Sequence, residues 1–158
     1  MTRRPGTVGG PPFAGREGLP LLPTILLVDA DADAGAMVRD ALLEGAGPVE
    51  LRTVATAEEL DEYVHATEDP TKPAPTLVVI DLDLPGEAAV QAIARLKEDP
   101  ERRRVPVIAL TRTADRARIA AAYDAGANTV LPRPVTFLAL VRLMKVFTAY
   151  WLEAAALP

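Results

Sequence analysis

The chain has 158 residues, of which 49% are hydrophobic, and a net charge of −5 at neutral pH. This length and apolar content suffice for one domain with a sizeable core. A mildly acidic chain without a clustered basic face is not typical of a nucleic-acid-binding protein. The sequence has no cysteine and no apolar run of membrane-spanning length, which excludes disulfides, thiolate metal sites and a membrane helix. We therefore expect a cytoplasmic protein that contacts neither nucleic acid nor membrane.

Taken in chain order, residues 1–23 contain five glycines and five prolines, so we expect a disordered leader before a domain that spans residues 24–158. The predicted strands are residues 25–29, 49–54, 77–81, 106–110 and 128–131. The predicted helices are residues 33–45, a segment from 56 onward, and residues 87–97, 115–125 and 136 to about 151. Five strands alternating with five helices predict an α/β fold, a flavodoxin-like five-stranded parallel sheet of order 2-1-3-4-5.

The predicted helix starts depend on residues that can cap a helix. Asp33 is the candidate N-cap of the first helix, and Thr56 with Glu59 forms a capping-box pattern at the start of the second. The apolar face expected for the first helix consists of Ala36, Met37, Val38, Ala41 and Leu42. The stripe expected for the third helix consists of Val90, Ile93, Ala94 and Lys97.

Polar residues stand where the predicted strands end. Asp29, Asp81, Thr111 and Arg133 follow strands one, three, four and five, and Asp83 comes two residues after Asp81. Because carboxyl ends of parallel strands meet at one edge, these side chains are expected to share a cleft. A carboxylate nucleophile, supporting acids, a hydroxyl and a guanidinium suit a phosphoryl group. Acids crowded at such an edge also call for a divalent cation that offsets their repulsion.

With these residues in place, the sequence resembles the receiver domain of two-component response regulators. The segments that carry the resemblance cover most of the domain at the family's spacings, and they are Ile25–Asp29, Leu77–Pro85, Val107–Thr111, Ala125–Asn128 and Arg133–Pro134. Within the family, the chain is most similar to the short receivers that partner bacterial phytochromes. That closer similarity lies in Lys97–Arg103 and in the ending Tyr150–Pro158.

The resemblance implies a phosphoacceptor site. Asp81 would accept phosphate from a histidine kinase, such as a bacterial phytochrome, and Thr111 and Arg133 would contact the phosphate. Mg²⁺ would be held by Asp29 and Asp81, and the side chain of Asp83 can enter the same pocket. Since no output domain follows in the sequence, the signal is expected to leave by protein contact or by onward phosphoryl transfer.

Several positions depart from the family's pattern. Ala30 stands where a second acid usually coordinates the metal, Arg133 replaces a lysine, and Val130 replaces the aromatic residue that reports phosphorylation. We expect the planar guanidinium of Arg133 to form a bidentate pair with unphosphorylated Asp81. The alternative is that arginine at this position is compositional drift without consequence. These departures leave open a pseudo-receiver, a dimeric interaction module independent of phosphorylation. A third hypothesis is a phosphatase, because Asp81-Leu-Asp83 resembles the Asp-x-Asp of haloacid dehalogenases.

The last predicted helix is apolar around much of its circumference. Twelve of the sixteen residues in 136–151 are apolar, and they sweep an arc of roughly 220° at 100° per residue. Docking on a sheet uses about half of that arc. The resemblance to the phytochrome-associated receivers implies a homodimer through helix four, strand five and helix five, and we expect Leu143, Val146 and Tyr150 at its centre. In the alternative, the tail 151–158 and the leader fold back over this surface.

Overall fold

The computed structural model describes residues 21–66 and 68–158, and all but the last three residues of the predicted leader lie outside this part of the chain. The elements in chain order are β1 (Thr24–Val28), α1 (Ala32–Gly45), β2 (Glu50–Val54), α2 (Ala57–His65), β3 (Leu77–Asp81), α3 (Ala88–Glu98), β4 (Val107–Thr111), α4 (Arg116–Asp124), β5 (Thr129–Pro132), α5 (Phe137–Thr148) and a π-helical segment, Ala149–Ala154. The predicted alternation of strands and helices is confirmed, with boundaries that differ by a few residues.

The strands form one parallel sheet of order β2-β1-β3-β4-β5, which confirms the flavodoxin-like topology. Every residue of β1, β3 and β4 is buried, as expected for apolar runs inside a parallel sheet. β2 and β5 form the edges and are only partly buried. The edge position explains why β5 can end in Pro132, since an edge strand has one side without a ladder to satisfy.

Helices cover both faces of the sheet and divide the core in two. α1 and α5 pack on one face, which we call the α1/α5 face, over side chains that include Leu27, Val79 and Ile108. α2, α3 and α4 pack on the other face, over side chains such as Val28 and Ile80. Successive residues of a strand point to opposite faces. A polar residue at a strand end therefore points toward one face of the sheet or the other, according to its position along the strand.

The start of α1 differs from the prediction. Asp31, and not Asp33, is the N-cap, and its carboxylate accepts the N–H groups of Asp33 and Ala34, each at 3.0 Å. Asp33 lies in the first turn, where an acid still interacts favourably with the helix dipole. Met37 is 38% exposed and does not belong to the buried face. The buried residues of α1 are Val38, Ala41 and Leu42.

The N-cap of α2 is as predicted, because Thr56 Oγ1 accepts the N–H of Glu59 at 3.1 Å. In α3, by contrast, only Ile93 of the expected stripe is fully buried, since the helix is rotated so that small residues meet the sheet. The buried residues of α3 are Ala89, Ala92, Ile93 and Leu96. Among the described residues, no helix is both long and apolar enough to cross a membrane.

The chain's end packs against the α1/α5 face. α5 stops at Thr148, whose hydroxyl donates to the carbonyl oxygen of Met144 at 2.7 Å, and the π-helical segment follows where one continuous helix was expected. Trp151, Leu152 and Leu157 then pack against the core of that face. The tail therefore contributes to the fold of the domain.

Lys97 at the end of α3 is held firmly against the turn between α4 and β5. Its Nζ donates to the carbonyl oxygens of Arg103 and Val105 and to Asn128 Oδ1, at 2.7–3.1 Å. Burial lowers the pKa of the Lys97 amine. The aliphatic stem runs directly under Gly126, whose φ is +108°. A Cβ at that glycine would lie 2.7 Å from Lys97 Cγ.

Gly126→Ala should therefore destabilise the domain, by about 2 kcal/mol or more, because both the backbone angle and the anchored lysine stem oppose a side chain. Gly86→Ala is the matched control. Gly86 also has a positive φ, +61°, but a Cβ there would meet nothing within 4 Å, so a loss of about 1 kcal/mol is expected. Urea unfolding measures both values. Equal losses for the two variants would contradict the role assigned to Lys97.

Candidate functional site

Asp81 is the last residue of β3 and lies between β1 and β4, where it is 7% exposed. Its Oδ1 accepts the N–H of Asp83 at 2.9 Å. The next residue continues the sheet's hydrogen bonding, because the N–H of Leu82 donates to the carbonyl oxygen of Leu110 at 2.8 Å. The backbone on both sides of Asp81 is thereby fixed. The carboxylate is consequently held at the edge of the sheet by an inner strand.

The charge of Asp81 is poorly compensated. Burial raises the pKa of its carboxyl above the ordinary value, and the nearby carboxylates of Asp29 and Asp83 raise it further. The N–H of Asp83 and, more weakly, the guanidinium of Arg133 act in the opposite direction. Loss of hydration disfavours the charged form of an acid. Asp81 is thus a carboxylate whose negative charge would be relieved by a proton or a cation.

Asp29 and Arg133 form a buried ion pair at the same edge. Their side chains are 4% and 6% exposed, and Arg133 Nη1 lies 3.5 Å from Asp29 Oδ2. Nη2 of the same guanidinium donates to the carbonyl oxygen of Ala34 in the first turn of α1. Asp29 Oδ1 also accepts the N–H of Asp31 at 2.9 Å. The expected bidentate pair of Arg133 with Asp81 is therefore wrong, because the guanidinium is used by Asp29 and α1.

Asp83 and Thr111 interact with each other on the β4 side of the edge. Asp83 Oδ1 lies 3.1 Å from Thr111 Oγ1, and Asp83 Oδ2 accepts the N–H of Arg112 at 2.7 Å. The Thr111 hydroxyl is also 3.1 Å from the carbonyl oxygen of Thr113, so its single proton can serve one of these acceptors at a time. Arg118 of α4 lies 3.7 Å from Asp83 Oδ1. The Asp83 carboxylate thus faces donors on β4 and α4.

The contacts of Asp29, Asp81 and Asp83 decide whether these expected Mg²⁺ ligands can hold a metal ion. Asp29 faces a guanidinium, and Asp83 accepts hydrogen bonds from the β4 side. Within residues 21–66 and 68–158, no three acidic, histidine or cysteine side chains form a group that could hold a metal ion. As arranged here, Asp29, Asp81 and Asp83 do not fit a resident divalent cation.

Two further residues, Asp31 and Arg112, border the site, and of these two the sequence analysis missed Arg112. Asp31 and Arg112 form an ion pair at 3.7 Å that joins the loop after β1 to the loop after β4. The N–H of Ala34 chiefly, then that of Asp33 and the Arg112 guanidinium, lower the pKa of Asp31. Arg112 and Arg118 were inconspicuous in the sequence because fourteen of the seventeen basic residues are arginines. Arg112 had only its position directly after Thr111 as a signal, and Arg118 lies inside α4.

The residues expected at a dimer interface differ in exposure. Val146 and Tyr150 are 70% and 57% exposed. Leu143 is partly buried and packs against the core of the α1/α5 face. Tyr150 contacts Trp151 edge to face, with ring centroids 5.0 Å apart. The predicted stripe thus has two exposed members and one that belongs in part to the core.

Comparison with known proteins agrees with this geometry. Residues 25–145 match the family described as Response regulator receiver domain. The chain therefore belongs to the receiver-domain family of response regulators, which are signalling modules of two-component systems.

The similar proteins include response regulators associated with phytochromes. Response regulator Rcp1 of Synechocystis sp. is 27% identical over 108 residues, or 68% of this chain and 69% of Rcp1. The phosphorylated cyanobacterial phytochrome response regulator RcpA is 26% identical, with a TM-score of 0.78 over 87% of this chain and 99% of that chain. The Mn²⁺-bound form of Rcp1 is 25% identical, with a TM-score of 0.75 over 86% of this chain and 99% of that chain. The resemblance predicted from the sequence is confirmed.

Asp81→Asn should raise the melting temperature of the unphosphorylated protein at neutral pH, because the amide removes a charge that burial disfavours. A raised pKa in the folded state means that the carboxyl favours folding at low pH, where it is protonated, and loses this contribution as the pH rises through the folded pKa. The advantage of the variant should therefore grow between about pH 4 and pH 7. Thermal unfolding with a chelator present measures it.

Glu62→Gln is the control for that experiment, because Glu62 is exposed on α2 and the substitution removes the same charge. Its melting temperature should follow that of the unsubstituted protein at every pH. A melting temperature of Asp81→Asn at or below the unsubstituted value at pH 7 would show that the carboxylate is compensated.

Proposed function

We propose that the chain is a single-domain response regulator that accepts a phosphoryl group on Asp81 from a phosphohistidine of a histidine kinase. The observation that carries this proposal is the position of Asp81. It ends an inner strand and is buried with poorly compensated charge, while Thr111 ends the neighbouring strand β4 and Arg133 follows β5, the next strand beyond β4. Membership in the receiver family supports the same assignment.

The proposed reaction is a phosphoryl transfer from nitrogen to oxygen. A carboxylate oxygen of Asp81 attacks phosphorus, the P–O bond forms as the P–N bond breaks, and the leaving imidazole nitrogen takes up a proton from solvent. Thr111 can supply its hydroxyl proton to a phosphoryl oxygen, which carries more charge than the carbonyl oxygen of Thr113 that it now approaches. Arg133 and Arg112 supply positive charge at the same edge. The Mg²⁺ expected from the sequence takes no step here, because the acids present do not fit it.

The proposed partner is a histidine kinase of the bacterial phytochrome class, and the proposed location is the cytoplasm. RcpA, described as a cyanobacterial phytochrome response regulator, supports this choice through its fold and identity over most of both chains. Nothing in the proposal requires nucleic acid or a membrane.

The other two hypotheses make different demands on the site. A pseudo-receiver is favoured by one observation, the buried pair of Asp29 with Arg133, because it neutralises the edge without a phosphate. A phosphatase of the Asp-x-Asp type needs Asp83 as a proton donor. Both oxygens of Asp83 instead face donors, since Oδ1 lies 3.1 Å from the Thr111 hydroxyl and Oδ2 accepts the N–H of Arg112. We therefore keep the pseudo-receiver as the competing function.

Incubation with acetyl phosphate should add the mass of one phosphoryl group to the protein, and peptide mapping should place it on Asp81. Asp81→Asn should abolish the gain. Asp83→Asn is the matched control, since it removes an equal charge two residues away and should slow labelling by about tenfold or less. Intact-protein mass spectrometry measures all three. No gain with either acetyl phosphate or phosphoramidate would favour the pseudo-receiver.

We also propose a homodimer through the surface formed by α4, β5 and α5, with Val146 and Tyr150 near its centre and Leu143 at its inner margin. Val146, Tyr150 and Leu138 are each more than half exposed on α5 or directly after it. Exposed apolar side chains grouped on one helix are typical of an association surface. The tail supports this proposal, because its own apolar residues Trp151 and Leu157 pack on the core while Val146 stays exposed.

Sedimentation of the unphosphorylated protein at micromolar concentration should give a dimer. Val146→Glu and Tyr150→Glu should each weaken it by about tenfold or more, because a charge would be buried at the interface. Leu43→Glu is the control, since Leu43 is 50% exposed and belongs to α1, which is not one of the elements of the proposed surface. A monomeric protein, or a dimer that tolerates both substitutions, would contradict the proposal.

A further inference from the structure

The buried pair of Arg133 with Asp29 has an arrangement that a surface ion pair lacks. Both side chains are almost fully buried, and the guanidinium donates with one arm to Asp29 and with the other to the carbonyl oxygen of Ala34. The backbone N–H of Arg133 donates to the carbonyl oxygen of Thr111 at 2.7 Å. Both ends of the arginine are therefore held.

The surroundings of Asp29 bring its carboxylate and the guanidinium together. Gly35 lies directly over the acid, since a Cβ there would meet Asp29 Cβ at 3.3 Å and Asp29 Cγ at 3.5 Å. The N–H of Asp31 donates to Oδ1, which leaves Oδ2 for Arg133. The acid is enclosed by the first turn of α1 on one side and by the guanidinium on the other.

We propose that Arg133 is the resident counter-cation of this edge, and that its pair with Asp29 and a bound divalent cation exclude one another. A cation coordinated by Asp29 would lie within a few ångströms of the guanidinium, and two positive charges at that distance repel strongly in a buried site. Ala30 follows Asp29 and offers no second carboxylate that could offset this repulsion. A divalent cation could bind Asp29 only after Arg133 had left it.

Arg133 thus has a positioning role that could not be inferred from its place in the sequence. By pairing with Asp29, the guanidinium offsets part of the negative charge that Asp29 places near Asp81. It therefore keeps the edge stable without a metal ion. This inference concerns cation binding in the unphosphorylated protein, so its failure and that of the proposed phosphoryl transfer are separately visible.

Mn²⁺ binding to the unphosphorylated protein at neutral pH, followed by the electron paramagnetic resonance signal of free Mn²⁺, tests the proposal. Arg133→Gln should bind Mn²⁺ about tenfold or more tightly than the unsubstituted protein, because Asp29 loses its counter-charge. Arg112→Gln is the matched control. It removes the same charge from the same edge, but Arg112 is half exposed and pairs with Asp31, so affinity should change by about twofold or less.

Equal affinities of the unsubstituted protein and Arg133→Gln would overturn the proposal, and so would an equal gain for Arg112→Gln. A second measurement covers the case in which Arg133→Gln does not fold. The guanidinium N–H resonances of Arg133 in the unsubstituted protein are followed by NMR while Mg²⁺ is added. If Mg²⁺ binds, the Arg133 resonances should disappear in step with binding. If Mg²⁺ does not bind, the resonances should stay unchanged. Bound metal together with unchanged Arg133 resonances would overturn the proposal.

Discussion

Compensation of buried negative charge at one edge of the sheet is the constraint on which the rest of the site depends. β1 and β3 are inner strands, and the acids at their ends are almost fully buried. Asp29 is neutralised by buried Arg133, and Asp83, beyond its strand, accepts hydrogen bonds from the β4 side. Asp81 accepts a backbone N–H, and burial raises the pKa of its carboxyl. The least compensated acid is thus the one that the fold places at the centre of the edge.

The alternation of side chains along the strands explains which groups meet. Asp29, Asp81 and Arg133 each stand two residues after a side chain that packs on the α1/α5 face. Thr111 continues the opposite alternation, two residues after Ala109 in the core beneath α2, α3 and α4. Because residues two apart point to the same side of a strand, the guanidinium and the two acids share one side of the edge. Thr111 is left on the other side with Asp83, and the site has two halves with Asp81 between them.

The sheet, its order and the place of Asp81 could be predicted from the sequence, because unbroken apolar runs bounded by turns leave little choice of structure. The partner of Arg133 could not. The sequence places this residue after the last strand, but the direction of the guanidinium depends on the carbonyl oxygen of Ala34 in the first turn of α1. The N-cap that positions this turn is Asp31, whereas the sequence predicted Asp33. The orientation of Asp83 likewise depends on backbone donors in a loop, and no pattern of residue types records where a loop N–H points.

A continuous chain of contacts leads from this edge to the exposed side of α5. Arg133 holds the carbonyl oxygen of Ala34 in the first turn of α1, and the last turn of α1 packs backbone against backbone on α5, since a Cβ at Gly45 would lie 3.1 Å from the nitrogen of Lys145. Two helices in such close contact cannot slide independently without loss of packing. Arg133 and α5 therefore contact opposite ends of the same helix, Arg133 through the carbonyl oxygen of Ala34 and α5 through Gly45.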